Sequence, residues 1–184
     1  MRIQQYAILA VAAIPFIYYF LAVFSTIRYF SRKTMDRREQ PDFTPPVSCL
    51  KPIRGLDDEA YENYASFCRQ DYPEYEVIFC VDDNDNAIPV LNRLIRDFPN
   101  VSIRLLNGPD HEAINDKVAR LDRLAREARY EVLVLTDGDV RVEPDYLRSV
   151  VAPLRNPKIG GVTCFYSATK ETTFTEKLQE LGMM

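Results

Sequence analysis

Histidine, glycine and surplus positive charge are all scarce in this sequence, and each scarcity removes a class of function. His111 is the only histidine among 184 residues. It sits in a polar stretch beside Pro109 and Asp110, so a His-centred triad would rest on one solvated loop residue. Six glycines supply neither a G-x-G-x-x-G after the first apolar run nor a Walker loop, which disfavours classical dinucleotide binding and P-loop hydrolysis. The four cysteines, Cys49, Cys68, Cys80 and Cys164, show no CxxC spacing. Three of them lie in apolar runs that read as strands, and all four read as reduced core residues rather than disulfide partners or zinc ligands. Beyond residue 45 there are 17 Lys+Arg against 24 Asp+Glu, a net charge of −7. Nucleic acid is a poor partner for so acidic a domain.

Charge is missing altogether from Tyr6 to Ile27. A helix of that length runs about 33 Å at 1.5 Å per residue, enough to cross a hydrocarbon core of ~30 Å. Pro15 falls mid-span, where a membrane helix tolerates it, and Tyr18, Tyr19, Tyr29 and Phe30 settle toward the interface. A cleaved signal peptide is the competing reading, but its apolar core would run only ~7–15 residues to a small-residue cleavage site. Here the segment continues into Arg28, Arg32, Lys33, Arg37 and Arg38, so it reads as an anchor. Those five basic residues outnumber Arg2 on the other side and place the soluble part in the cytoplasm. The predicted division is an extracytoplasmic N-terminus at 1–5, a transmembrane helix at 6–27, a basic juxtamembrane linker at 28–46 and a folded domain at 47–184.

Within that domain short apolar runs alternate with helical patterns. VSCLK precedes a helix over 57–70, YEVIFCV one over 86–98, VSIRLL one over 114–128, and EVLVLT one over 144–155. IGGVTCFY then opens a fifth unit, with a helical pattern from 172 to the end. Alternation of this kind predicts an α/β fold with a mostly parallel sheet and helices on both faces. VIFCV and VLVL, apolar without interruption, read as strands buried on both sides. The chain stops inside the helical pattern TFTEKLQELGMM, which reads as the N-terminal piece of something longer.

Acidic residues gather where such a sheet binds ligands, beyond the carboxyl ends of its strands. VIFCV ends in Asp82-Asp83-Asn84-Asp85, and VLVLT ends in Asp137-Gly138-Asp139. In an extended segment residues two apart point to one side, so Asp137 and Asp139 can present two carboxylates to one hard cation. Mg²⁺ or Mn²⁺ takes oxygen ligands and bridges one or two carboxylates to substrate phosphates. The bland alternative is that Asp-Gly-Asp is only a turn with a helix cap.

The stretch VSCLKPIRGLDDEAYENYASFCRQDYPEYEVIFCVDD, followed by INDKVARL, TDGDVRVEPDYL and GGVTCFY, resembles the family 2 and family 21 glycosyltransferases. The ceramide glucosyltransferases and the related bacterial hopanoid-type lipid glycosyltransferases are the nearest in pattern. The likeness covers about residues 47 to 166, and an N-terminal membrane helix belongs to the same pattern.

The resemblance implies a GT-A, Rossmann-like nucleotide-sugar domain, incomplete at its C-terminus, with a UDP-sugar as donor. Asp83 matches the aspartate that contacts the base or ribose, and Lys117 a lysine near the nucleotide, although a solvated helix-start lysine is the plain alternative. Asp137 matches the second aspartate, and Asp139 completes the D-x-D metal pair for Mg²⁺ or Mn²⁺. An acid at 139, where animal ceramide glucosyltransferases carry an apolar residue, leans toward the bacterial members and an inner-membrane location. Lys51, Pro52, Ile53, Arg54 and Gly55 are expected beneath the nucleotide, with Asp57 nearby. The family's general base and its Q-x-x-R-W acceptor motif have no counterpart before Met184, so the chain is expected to hold the donor half of the site and to complete no transfer alone. The implied reaction is metal-dependent, inverting transfer of a sugar to a lipid hydroxyl such as that of ceramide or a hopanoid. A polysaccharide synthase of the same superfamily and a non-catalytic nucleotide-sugar-binding module are the alternatives.

Overall fold

The computed structural model describes residues 2–36, 43–109, 111, 114–164 and 166. The chain divides into two units, Met1–Asp42 and Phe43–Met184. The first holds α1, Arg2–Asp36, a single helix with Pro15 inside it. Its segment Val11–Arg28 is long and apolar enough to cross a membrane, and the large apolar side chains from Val11 to Ile27 are each more than half exposed. The helix runs nine residues past the expected end of the span. Nothing between Arg28 and Asp36 breaks it, since no proline or glycine occurs before Pro41, and cations near a helix C-terminus favour the dipole.

The second unit is a four-stranded parallel sheet in the order β3-β2-β1-β4. Its strands are β1 (Val47–Pro52), β2 (Tyr75–Val81), β3 (Ser102–Asn107) and β4 (Val132–Leu135). The connecting helices are α2 (Ala60–Cys68), α3 (Ile88–Asp97) and α4 (Asp116–Glu127), and α5 (Tyr146–Val151) follows β4. A 3₁₀ turn, Ala152–Arg155, closes α5, because Pro153 brings no amide hydrogen to continue the helical ladder.

Alternate side chains of the central strands feed two cores, as the two-residue period of a strand requires. Val47 and Cys49 of β1 and Val77, Phe79 and Val81 of β2 join Tyr64 and Phe67 of α2, Leu91 and Leu94 of α3, and Leu147 and Val151 of α5. Leu50, Ile78 and Cys80 face the other way and pack with Leu121 and Leu124 of α4. Tyr64 and Phe79 meet edge to face, 5.4 Å between centroids. β2 is buried through its length, as VIFCV suggests, but β4 is not. Val134 is buried, while Leu133 and Leu135 are 36% and 52% exposed. β4 is an edge strand among the described residues, and α4 lies on β1 and β2, so its second face has no cover there.

Two further expectations are corrected. Residues 159–164 and 166 of IGGVTCFY form no strand, and paired glycines at 160 and 161 make the segment a weak strand former. Cys164 is accordingly exposed, whereas Cys49, Cys68 and Cys80 are buried, and all four are free thiols. The helical pattern from 172 onward lies outside the described residues.

The ends of the strands away from the acidic clusters are pinned by Glu76, which is fully buried. Its carboxylate accepts from Ser48 Oγ at 2.7 Å and the Arg129 amide at 2.8 Å, and it pairs with Arg104 at 3.4 Å. Arg104 also donates to the Glu127 carbonyl at the end of α4, 2.7 Å. Replacing Glu76 by alanine strands Ser48 and the Arg129 amide, at a cost of roughly 1–3 kcal/mol for an unsatisfied buried group. Glu76→Ala is therefore expected to lower stability by about 2–3 kcal/mol, read as a lower urea midpoint with the denaturant slope unchanged.

Candidate functional site

Strand order decides where a ligand can enter. From β1 the chain steps to β2 and β3 on one side, then crosses back to place β4 on the other side of β1. The segments leaving β1 and β4 run over one face and meet there, with Arg141 donating to Glu59 Oε2 at 2.9 Å and the Val142 amide to Ser66 Oγ at 3.2 Å. α4 returns over the other face, and a crevice opens between the strand ends and the start of α4. A cleft of about 530 Å³ lies there, lined by Pro52 to Gly55, Asp57, Tyr64, Ile114 to Lys117, Arg120, and Asp137 to Asp139. Of the residues singled out in the sequence, Pro52, Ile53, Arg54, Gly55, Asp57, Lys117, Asp137 and Asp139 come together in it.

Each wall is built by local chemistry. Gly55 carries φ +79° and donates its amide to Asp85 Oδ2 at 2.7 Å. Asp85 Oδ1 accepts from the Ala87 amide at 2.8 Å, so one carboxylate ties the KPIRG loop to the start of α3. Asn115 caps α4 by accepting from the Val118 amide, 3.3 Å. That cap aims the first turn of α4 at β4, where Lys117 Nζ meets Asp137 Oδ1 at 2.6 Å. Both side chains are about half exposed, so the pair adds at most ~1 kcal/mol to stability. Its importance is positional.

Lys51 lies below the cleft. The residue is fully buried, with its ammonium 3.7 Å from the Phe67 ring centroid, and it donates to Thr136 Oγ1 at 3.1 Å and to the Asp137 carbonyl at 2.9 Å. The amine supports the Asp-Gly-Asp backbone from beneath. Burial pushes its pKa down to about 7, against the opposing pull of Cys49, Asp139 and Asp137.

Asp83 stands apart from the cleft lining. It is exposed at the end of β2, and its carboxylate and amide both bond the Asn107 side chain at the end of β3. The neighbouring Asp82 turns the other way and accepts from Arg120 Nη2 at 2.7 Å. Arg120 is the site residue that sequence reading overlooked. It is 3% exposed, and its Nε donates to Asp116 Oδ2 at 2.8 Å. Burial opposes its charge, but the bonds to Asp116 and Asp82 outweigh that and raise its pKa further; the same bond to Arg120 is the first cause holding Asp116 below the usual carboxylate range. The available signal was spacing, since 116 and 120 are one helical turn apart and 117 and 120 share a face. Gly108 makes room for this arrangement. Its φ is +57°, and a Cβ there would come within 2.7 Å of Asp82 Oδ1.

Among the described residues no group of three or more His, Cys, Asp or Glu side chains stands ready to hold a metal alone. Asp137 and Asp139 offer two carboxylates, a donor set that suits Mg²⁺ or Mn²⁺ only when a ligand's phosphates complete the shell.

Similarities to known proteins give the family and the fold. The profile described as Glycosyl transferase family 21 matches residues 7–184. Ceramide glucosyltransferase 1 of Caenorhabditis elegans is 29% identical over 165 residues, 88% of this chain and 35% of the relative. The ceramide glucosyltransferase of Komagataella phaffii is 36% identical over 120 residues, 62% of this chain and 23% of the relative. The chain thus spans about a third or less of the curated relatives it matches. Among solved structures, the mannosyltransferase PcManGT from Pyrobaculum calidifontis, in complex with GDP-Man and Mn²⁺, superposes with a TM-score of 0.59 at 23% identity. The match covers 77% of this chain and 43% of that one, and it supports the GT-A-like fold.

The Lys51 pKa makes a stability prediction. A lysine whose folded pKa is about 7 and whose unfolded value is near 10.4 binds fewer protons when folded across that interval, so stability rises with pH there, by at most about 1.4 kcal/mol per unit. Above about pH 8.5 the thiols of Cys49 and Cys68, held protonated in the fold with pKa values pushed up to about 12, begin to reverse the trend. Urea unfolding between pH 7 and 8.5 should therefore show rising stability in the unaltered chain, and Lys51→Met should flatten the rise.

Proposed function

The chain belongs to glycosyl transferase family 21, and from that membership we propose that it serves a metal-dependent, inverting transfer of a sugar from a UDP donor to a lipid hydroxyl such as that of ceramide or a hopanoid. The observation that carries this reading is the convergence of Asp137, Asp139 and Lys117 on one cleft at the sheet's switch point. Carboxylates and an ammonium side by side suit a metal-bound diphosphate, which presents both cation and anion to the protein.

In this reading the donor's diphosphate lies across the first turn of α4. Asp137 and Asp139 would hold Mg²⁺ or Mn²⁺, which would supply charge stabilisation to the departing diphosphate. Lys117 offsets further negative charge as the glycosidic bond breaks, and Arg54, 80% exposed at the mouth, is placed to follow. Lys51 keeps the Asp137 backbone from shifting as the metal loads. The nucleoside lies over the KPIRG loop toward the β2 end, with Asp83 as its expected partner.

The ceramide glucosyltransferase likeness and the apolar α1 together support a lipid acceptor reached from a membrane-anchored position. The basic residues after the span support a cytoplasmic site, in a bacterium the inner membrane. Membranes carrying the chain should retain it through alkaline carbonate washing, and protease should reach residues 47–184 only from the cytoplasmic face. A soluble product shortened by about the first 26 residues would overturn the anchor.

Calorimetry with UDP tests the donor site. Binding should strengthen with Mn²⁺ and collapse with chelator, and Asp137→Asn or Asp139→Asn should each weaken it at least ten-fold. Lys117→Met should cost about ten- to a hundred-fold, the range of a lost charge-assisted bond. Undiminished metal-dependent binding in both aspartate variants would sink the assignment.

A further inference from the structure

We infer that Arg120 reads a ring carbonyl of the donor's base, which makes it a specificity residue of the nucleoside half of the cleft. The inference rests on the donor-site reading above and adds a role that neither the motifs nor the metal pair calls for.

The argument begins with an unfinished hydrogen-bond inventory. A guanidinium carries donors on Nε, Nη1 and Nη2. In Arg120, Nε is used by Asp116 and Nη2 by Asp82, while Nη1 is buried with no partner among the described residues. A buried donor left unmade is costly, and such groups in folded proteins call for a reason. The Cys80 sulfur lies beside the guanidinium, a weak acceptor whose own hydrogen goes to the Gly108 carbonyl at 3.1 Å. Arg120 is also one of the residues that line the cleft. An acceptor brought by a ligand completes the inventory.

Charge decides what kind of acceptor. Two carboxylates already hold the one positive charge of Arg120, which leaves no surplus for a phosphate. The half-exposed ammonium of Lys117 and the exposed Arg54 are better placed for that. What remains on Arg120 is a directional donor in a dry setting, suited to a neutral carbonyl. Position agrees with chemistry. Lys117 reaches from α4 to the end of β4 and Arg120 from the same helix to the end of β2. One helical turn thereby separates a diphosphate end from a nucleoside end. Because sulfur accepts hydrogen bonds weakly, a thiocarbonyl in place of the carbonyl that Arg120 reads should behave like loss of the donor.

The test uses the chain in detergent with four probes: UDP, 2-thio-UDP, 4-thio-UDP and inorganic pyrophosphate, each with Mn²⁺. Arg120→Lys keeps the charge between Asp82 and Asp116 but removes the fork. It should weaken UDP about ten-fold and pyrophosphate less than two-fold. One of the thio analogues should bind the unaltered chain about ten-fold more weakly than UDP and show no further loss in the variant. An equal loss for UDP and pyrophosphate, or a full loss retained with both thio analogues, would overturn the role in base reading. If Arg120→Lys does not fold, the unaltered chain still decides, because equal affinity for UDP and both analogues is incompatible with a carbonyl contact. Failure of every nucleotide and of pyrophosphate to bind the unaltered chain would instead overturn the donor-site reading, and this inference with it.

Discussion

The ammonium of Lys51 is the interaction on which the geometry of the cleft depends. It enters from β1, the second strand from the edge, and leaves the water entirely, a step that costs several kcal/mol unless partners compensate. The partners are the Thr136 hydroxyl, the Asp137 carbonyl and the face of Phe67. All three lie where β4 ends or where α2 backs the sheet. A lysine spent in this way joins the two strands whose carboxyl ends border the crevice, and it presses from beneath on the backbone that displays Asp137. Burial is the main cause that pulls its pKa down. Methionine would fill much of the space without making either bond.

α4 is the second support, and it is held at both ends by charge. At its start Asn115 caps the helix and Arg120 bridges Asp116 to Asp82. At its end Arg104 takes the Glu127 carbonyl, and the following Arg129 amide goes to the buried Glu76. Between these points Leu121 and Leu124 pack on Leu50, Ile78 and Cys80. Lys117 and Arg120 can therefore not slide independently along the cleft. Displacing one displaces the other, together with the strand end it grips.

Much of this was legible in the sequence because the signals are local. Uninterrupted runs such as VIFCV mark a strand buried on both sides, and acids that follow such runs fall at carboxyl ends whatever the details of packing. The four strands and the helices between them follow from that alternation, as does the place of Asp137 and Asp139 at a strand end, whereas Pro52, Gly55 and Lys117 were named from the family resemblance. What escaped depends on which element covers which. VLVL reads like VIFCV, yet Leu133 and Leu135 are exposed because α4 covers β1 and β2 instead. IGGVTCFY reads as a strand from its apolar residues, but the paired glycines at 160 and 161 weaken it, and residues 159–164 and 166 form none. Lys51 was expected beneath the nucleotide with the rest of the KPIRG loop, and its complete burial is a detail the sequence does not show, since lysine is so rarely buried. Its placement inside follows from the two-residue period that carries Val47 and Cys49 into the same core.

Arg120 escaped for a related reason. An arginine on an amphipathic helix amid Arg123 and Arg126 reads as one more solvated cation, and Arg126 indeed pairs at the surface with Asp122 one turn earlier. Arg120 differs because Asp82 arrives from another element 38 residues earlier, and only the fold reveals that meeting. Once two carboxylates share it, its role shifts from countercharge to directed donor. The same helix then offers a half-exposed charge at Lys117 and a buried donor paired with two carboxylates at Arg120, one turn apart. A ligand with a diphosphate at one end and a carbonyl-bearing ring at the other is matched by that difference in character more than by the total charge of the cleft.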